Sequence, residues 1–80
     1  MREFEDENGE VWTATVGHRE GQDYKGAWFL VLTPSSGGGP VVLEDVRWNS
    51  ERTARRTLET MSRVELRRRL RSARGRAAAV

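Results

Sequence analysis

His18 is the only imidazole in this 80-residue chain, and there is no cysteine. Nucleophilic catalysis needs a nucleophile beside a base, and a metal centre needs several ligands at suitable spacing. His18 stands alone in the glycine-punctuated stretch "GHREG", where a solvated loop side chain is the expected outcome. The neighbouring acids Asp6-Glu7 and Glu44-Asp45 cannot share a proton in a strand, because adjacent residues point to opposite faces. The triglycine at 37–39 joins two strand-like runs and does not open a helix, so it lacks the setting of a phosphate-cradling loop. The chain is therefore expected to be a non-enzyme with no cofactor, no metal and no small-molecule substrate.

The side chains that remain are arginines. "RVELRRRLRSARGR", residues 63–76, holds seven in fourteen positions. On a helix, Arg63, Arg67, Arg71 and Arg74 follow i, i+4, i+8 and i+11 and share one face, with Arg68 and Arg69 at its flank. Such a row, about 17 Å long, would make a ridge able to track phosphates, and its binding would fall steeply with salt. The competing reading is a solvated helix face whose arginines pair with carboxylates of this molecule or another.

Aromatics raise the same question. Trp12, Trp28 and Trp48, with Phe4, Phe29 and Tyr24, are many for so short a chain. In single-strand binders, aromatics on an open sheet stack bases while nearby arginines hold the backbone. Arg47 beside Trp48, and Lys25 beside Tyr24, fit that pattern. Large aromatics also give a small domain without disulfides its apolar area. Trp12 and Trp28 are expected in the core; Trp48, at a strand end, stands between the two duties.

A net charge of +2 conceals a split. Residues 1–46 carry nine acids against three bases, a balance of −6; residues 47–80 carry eleven arginines against three acids, a balance of +8. Asymmetry of this kind points to a polyanion or an interacting protein. Thirteen of the fourteen basic residues are arginine and Ala77–Ala79 is an alanine run, which a GC-rich genome would also produce. The acidic start lacks the apolar run of a signal peptide, and the longest apolar run, Ala27–Leu32, is far too short for a bilayer. A soluble, cytoplasmic protein with no membrane partner is expected.

The elements that position these residues follow from turns and periods. Asn8-Gly9 marks a hairpin. A three-residue loop, Glu7-Asn8-Gly9 with Gly9 left-handed, pairs Phe4 with Trp12 and Arg2 with Ala14 and puts the apolar residues on one face. "AWFLVLTP" is apolar on both faces, the mark of a central strand covered on both sides, by a helix on one and by a curled sheet or a partner on the other. "SSGGG" makes the next hairpin tip, and "VVLEDVRW" closes the sheet with Val42, Val46 and Trp48 on one face. From Asn49 the period becomes helical. Ala54, Leu58 and Met61 draw one stripe and Leu66, Leu70 and Ala73 another, about 120° further round the axis. One straight helix cannot bury both. Ser62 and Glu65 have capping-box spacing, so a break or sharp kink is predicted at Met61-Ser62, with Gly75 ending the second helix.

The reading is one α+β domain over residues 1–80, with a four-stranded antiparallel sheet (two successive hairpins) over about residues 2–48. Helices over 50–61 and 63–74 and a frayed tail over 75–80 complete it. "DYKGAWFLVL" followed by "VVLEDVRWNSERTARRTL" resembles, in its order of strands then helix, the repeat of Whirly, Pur-type and coactivator-type single-strand DNA binders. The resemblance covers about residues 10–60 and implies a nucleic-acid ligand; no functional residue is carried over from it. The expected function is nucleic-acid binding through Arg63, Arg67, Arg68, Arg71 and Arg74, with Arg47 and Trp48. The alternative is a protein-interaction or homodimerisation module, or a small inhibitor, using an acidic sheet and a basic helix.

Overall fold

In the computed structural model, which describes residues 1–19 and 27–78, four strands precede two helices. The strands are β1 (Arg2–Glu5), β2 (Val11–His18), β3 (Trp28–Pro34) and β4 (Val41–Trp48); the helices are α1 (Glu51–Thr60) and α2 (Arg63–Ala78). The strands pair antiparallel in the order β1-β2-β3-β4, and both helices pack on the same face, giving an α+β fold. Of the loop expected over residues 17–26, residues 20–26, with Tyr24 and Lys25, lie outside the described residues, as do residues 79–80 and the side chains of Glu44 and of residues 76–78.

The first hairpin closes in the expected register: Phe4 pairs with Trp12 and Arg2 with Ala14. Gly9 has φ 84°, a conformation that costs a glycine little and other residues more. Asp6 N–H donates to the Glu10 carbonyl at 2.9 Å and Gly9 N–H to the Asp6 carbonyl at 3.2 Å, which fixes the three-residue loop. One face of the sheet then carries Phe4, Trp12, Ala14, Leu30, Leu32 and Leu43, all at most 3% exposed. Leu58, Met61, Leu66, Leu70 and Ala73 of the helical segment close over them.

Strand β4 departs from the simple alternation. Leu30 pairs with Leu43 but Trp28 with Trp48, so β4 has three more residues than β3 over the same span. An odd excess reverses the facing of the residues beyond it. Leu43 is buried while Val42 is 38% exposed, and Trp48, past the irregularity, returns to pack on the core. The predicted Val42/Val46/Trp48 face is corrected accordingly.

The helix break falls where the two stripes require it. Ser50 caps α1, its hydroxyl accepting from Thr53 N–H at 3.3 Å, and Ser62 Oγ accepts from Glu65 N–H at 3.1 Å at the start of α2. The end of α2 is a correction. The helix continues through Gly75 to Ala78, because a glycine in a helix costs only about 1 kcal/mol and the alanines that follow are the best helix formers.

Strand β3 has the expected facing: Leu30 and Leu32 point inward and are buried, while Phe29 and Val31 on its other face are half-buried, and among the described residues no helix lies over that side. Trp28, expected in the core, is a correction: it is half-buried, with its ring 4.3 Å from that of His18. His18 itself ends β2 and is not a loop residue.

Candidate functional site

The arginine ridge forms as a helix face, and most of it lies along the acidic hairpin. Arg71 Nη1 is 3.2 Å from Glu7 Oε1, and Arg74 Nη1 is 3.6 Å from Asp6 Oδ2. The Arg74 guanidinium also stands 5.3 Å from the centre of the Trp12 ring, in cation–π range. Arg68 is drawn off the ridge: its Nη2 lies 2.6 Å from Glu65 Oε2, a carboxylate it shares with Arg69 at 2.9 Å. Arg63 and Arg67 differ from these. Both are exposed, and neither has an ion pair or hydrogen bond among the described residues.

Asp6 organises this corner of the molecule. Its Oδ1 accepts from the backbone N–H groups of Asn8 at 2.8 Å and Glu10 at 3.0 Å, and its Oδ2 accepts from Trp12 Nε1 at 2.9 Å. The buried indole thus has the partner it needs, and the loop is tied to the core by one carboxylate. The Trp12 hydrogen bond, then the Glu10 and Asn8 amides and the charge of Arg74, hold the Asp6 carboxyl below its ordinary 3.8 despite partial desolvation. The Arg68 hydrogen bond first, then its charge and the contacts of Arg69, likewise hold Glu65 below 4.5; reciprocally, Glu65 raises Arg68.

Two shallow grooves run between hairpin and helix. The first, about 360 Å³, is lined by Glu3, Phe4, Glu5, Asp6, Val11, Arg63 and Arg67. The second, about 370 Å³, shares Asp6 and Arg67 with it and continues past Leu70, Arg71 and Arg74. Both walls carry charge, acids on one side and arginines on the other. Arg47 and Trp48 are not part of this cluster. Arg47 is exposed at the end of β4, while Trp48 is half-buried against the core beside the α1 cap.

Two residues matter that pattern reading passed over. Asp6 is one; the string Asp-x-Asn-Gly is a side-chain-capped turn signal, so it was there to be found. Arg2 is the other. Its Nη1 lies 3.1, 3.0 and 2.9 Å from the carbonyl oxygens of Leu58, Glu59 and Met61. A cation from β1 therefore closes the C-terminal end of α1, whose own last turn carries no basic residue. Nothing in the local sequence around Arg2 signals that role.

Among the described residues no three His, Asp or Glu side chains converge as metal ligands, and no helix is long and apolar enough to cross a membrane. The second, helix-free face of the sheet is the other surface with character. Thr15, Val31 and Val42 stand in one row across three strands, with Thr13 and Thr33 in the next. Glu3 and Glu5 border it on β1. Towards the far end the face is sealed locally: the Phe29 ring lies over Gly17, where a Cβ would come within 2.7 Å of it, and the Arg19 guanidinium stands 5.4 Å from the ring centre. No protein-family model, curated protein or solved structure matches the chain, so the likeness to single-strand binders rests on strand order alone.

Proposed function

We propose that this chain is a non-enzymatic protein-interaction module that works through the helix-free face of its sheet. One observation carries this reading: the central strand is apolar on both sides, yet the helices cover only one, leaving Val31 and the 38%-exposed Val42 side by side. The nucleic-acid reading loses ground by comparison. Arg71, Arg74 and Arg68 are engaged by Glu7, Asp6 and Glu65, and a phosphate backbone entering the grooves would meet Glu3, Glu5 and Asp6 as well.

The occupant that fits is a second copy. A two-fold axis parallel to the strands stacks two such faces and lays Glu3 and Glu5 over the partner's β4 edge, away from their own counterparts. The test is light scattering after size exclusion over a wide concentration range, for the native chain and for Val31→Lys with Val42→Lys. A concentration-dependent dimer that the variant loses, at unchanged melting temperature, is the expected result. A strict monomer that binds labelled single-stranded DNA in a salt-dependent, Arg67-dependent way would instead support the nucleic-acid reading.

A further inference from the structure

A different surface, the free edge of β1, has its own ligand chemistry, independent of the sheet face. Among the described residues β1 pairs only with β2. The Asp6–Glu10 backbone bond sets the phase of the ladder: hydrogen-bonded pairs alternate along an antiparallel pair. Phe4 and Arg2 are therefore bonded to β2, and the N–H and C=O groups of Glu3 and Glu5 point outward. The opposite edge strand, β4, is interrupted by its three-residue irregularity, which makes it a poorer template for pairing.

The surroundings of the β1 edge are unusual. The groove beside it has Arg63 and Arg67 on one wall and Glu3 and Glu5 on the other. These charges are near one another but form no ion pair among the described residues. The reason lies in the pleat. Glu3 and Glu5 project to the helix-free side of the sheet, Arg63 and Arg67 stand on the helix side, and the strand edge runs between the two rows. An added strand would present successive side chains to opposite sides, one set to the guanidinium groups and the other to the carboxylates.

We infer that the β1 edge is a strand-addition site for an extended segment of a partner protein that alternates acidic and basic residues. Acidic side chains meet Arg63 and Arg67, basic ones meet Glu3 and Glu5, and the backbone bonds the outward amides of Glu3 and Glu5. A second copy of this chain does not fit here. Antiparallel β1–β1 pairing would set glutamates against glutamates and arginines against arginines.

The probe is a short labelled synthetic peptide alternating glutamate and lysine, titrated against the full chain by fluorescence polarisation at low salt. Controls are a peptide of the same composition with its glutamates and lysines in two blocks, and the alternating peptide N-methylated at every second amide in either phase. The alternating peptide should bind about tenfold more tightly than the block peptide. N-methylation in one phase should abolish binding, and Arg63→Glu with Arg67→Glu should weaken it by about tenfold or more. Amide exchange at Glu3 and Glu5 should slow on binding. Absence of binding, equal binding of the block or both methylated peptides, or indifference to the arginine reversals at unchanged melting temperature overturns the inference. None of these results bears on the oligomeric state that tests the sheet face.

Discussion

Leu30 and Leu32 of β3 are 1% and 0% exposed, whereas Phe29 and Val31, from the other side of the same strand, are only half-buried. The two sets belong to one strand of similar composition, so propensity does not separate them. What separates them is supply: the described residues provide two helices, and both are spent on one face. The uncovered face manages its apolar residues by other means. Threonines are interspersed along it, and the Phe29 ring is laid on a glycine and under a guanidinium. The difference teaches that apolar content on a strand announces the need for a cover but not which molecule provides it.

The largest effect expected from this comparison is on the covered side. Leu66→Ala, at a fully buried position, should cost about 2–5 kcal/mol in chemical denaturation. Arg2→Ala, which removes the donor from three carbonyls at the C-terminal end of α1, should cost about 1–3 kcal/mol by the same measurement; a negligible loss would mean that the covering helix needs no anchor in β1. On the open side Gly17→Ala must displace both the Phe29 ring and a Val31 methyl, each from a half-buried side chain, at a cost of about 1–3 kcal/mol. Val31→Thr should change stability by no more than about 0.5 kcal/mol in dilute solution. A loss as large as that of Leu66→Ala would show that Val31 is covered in solution by another copy.

The smallest effect at neutral pH concerns the two depressed carboxyls, and its sign can be worked out. Asp6 and Glu65 titrate below their ordinary 3.8 and 4.5 in the folded chain. The unfolded chain therefore binds protons first as pH falls, and stability decreases through and below that range. Thermal melts should be flat from neutrality down to the ordinary carboxylate range and should fall below it. In Asp6→Asn, which can no longer accept from both Trp12 and the loop amides in the same way, the native state should start less stable and its acid decline should be shallower.

Much of the fold was legible because some residues allow only one arrangement. Asn8-Gly9 together with Phe4 and Trp12 admits one register that keeps the aromatics together, and the structure has it. The offset between the Leu58/Met61 and Leu66/Leu70 stripes forbids one straight helix, and the chain breaks at Met61-Ser62. What was not legible depends on partners distant in sequence. The irregular pairing of β4 is a property of two strands, so its inward face could not be read from "VVLEDVRW" alone. The spacing of Arg63, Arg67, Arg71 and Arg74 correctly implied a shared face, but spacing does not say which arginines lie against acids. Only the folded hairpin brings Glu7 to Arg71 and Asp6 to Arg74 while leaving Arg63 and Arg67 without an ion pair among the described residues.

The guanidinium clasp of Arg2 has a consequence for the order of events during synthesis. Its acceptors lie 56 to 59 residues further along the chain, so the first strand can zip to the second early but the clasp must wait until Met61 has emerged. Until then the last turn of α1 lacks its cation, and the helix layer cannot be finished from the N-terminal end inward. A nascent chain stalled before that point would hold a hairpin without a lid, its tryptophan side still exposed to whatever else is in the vicinity.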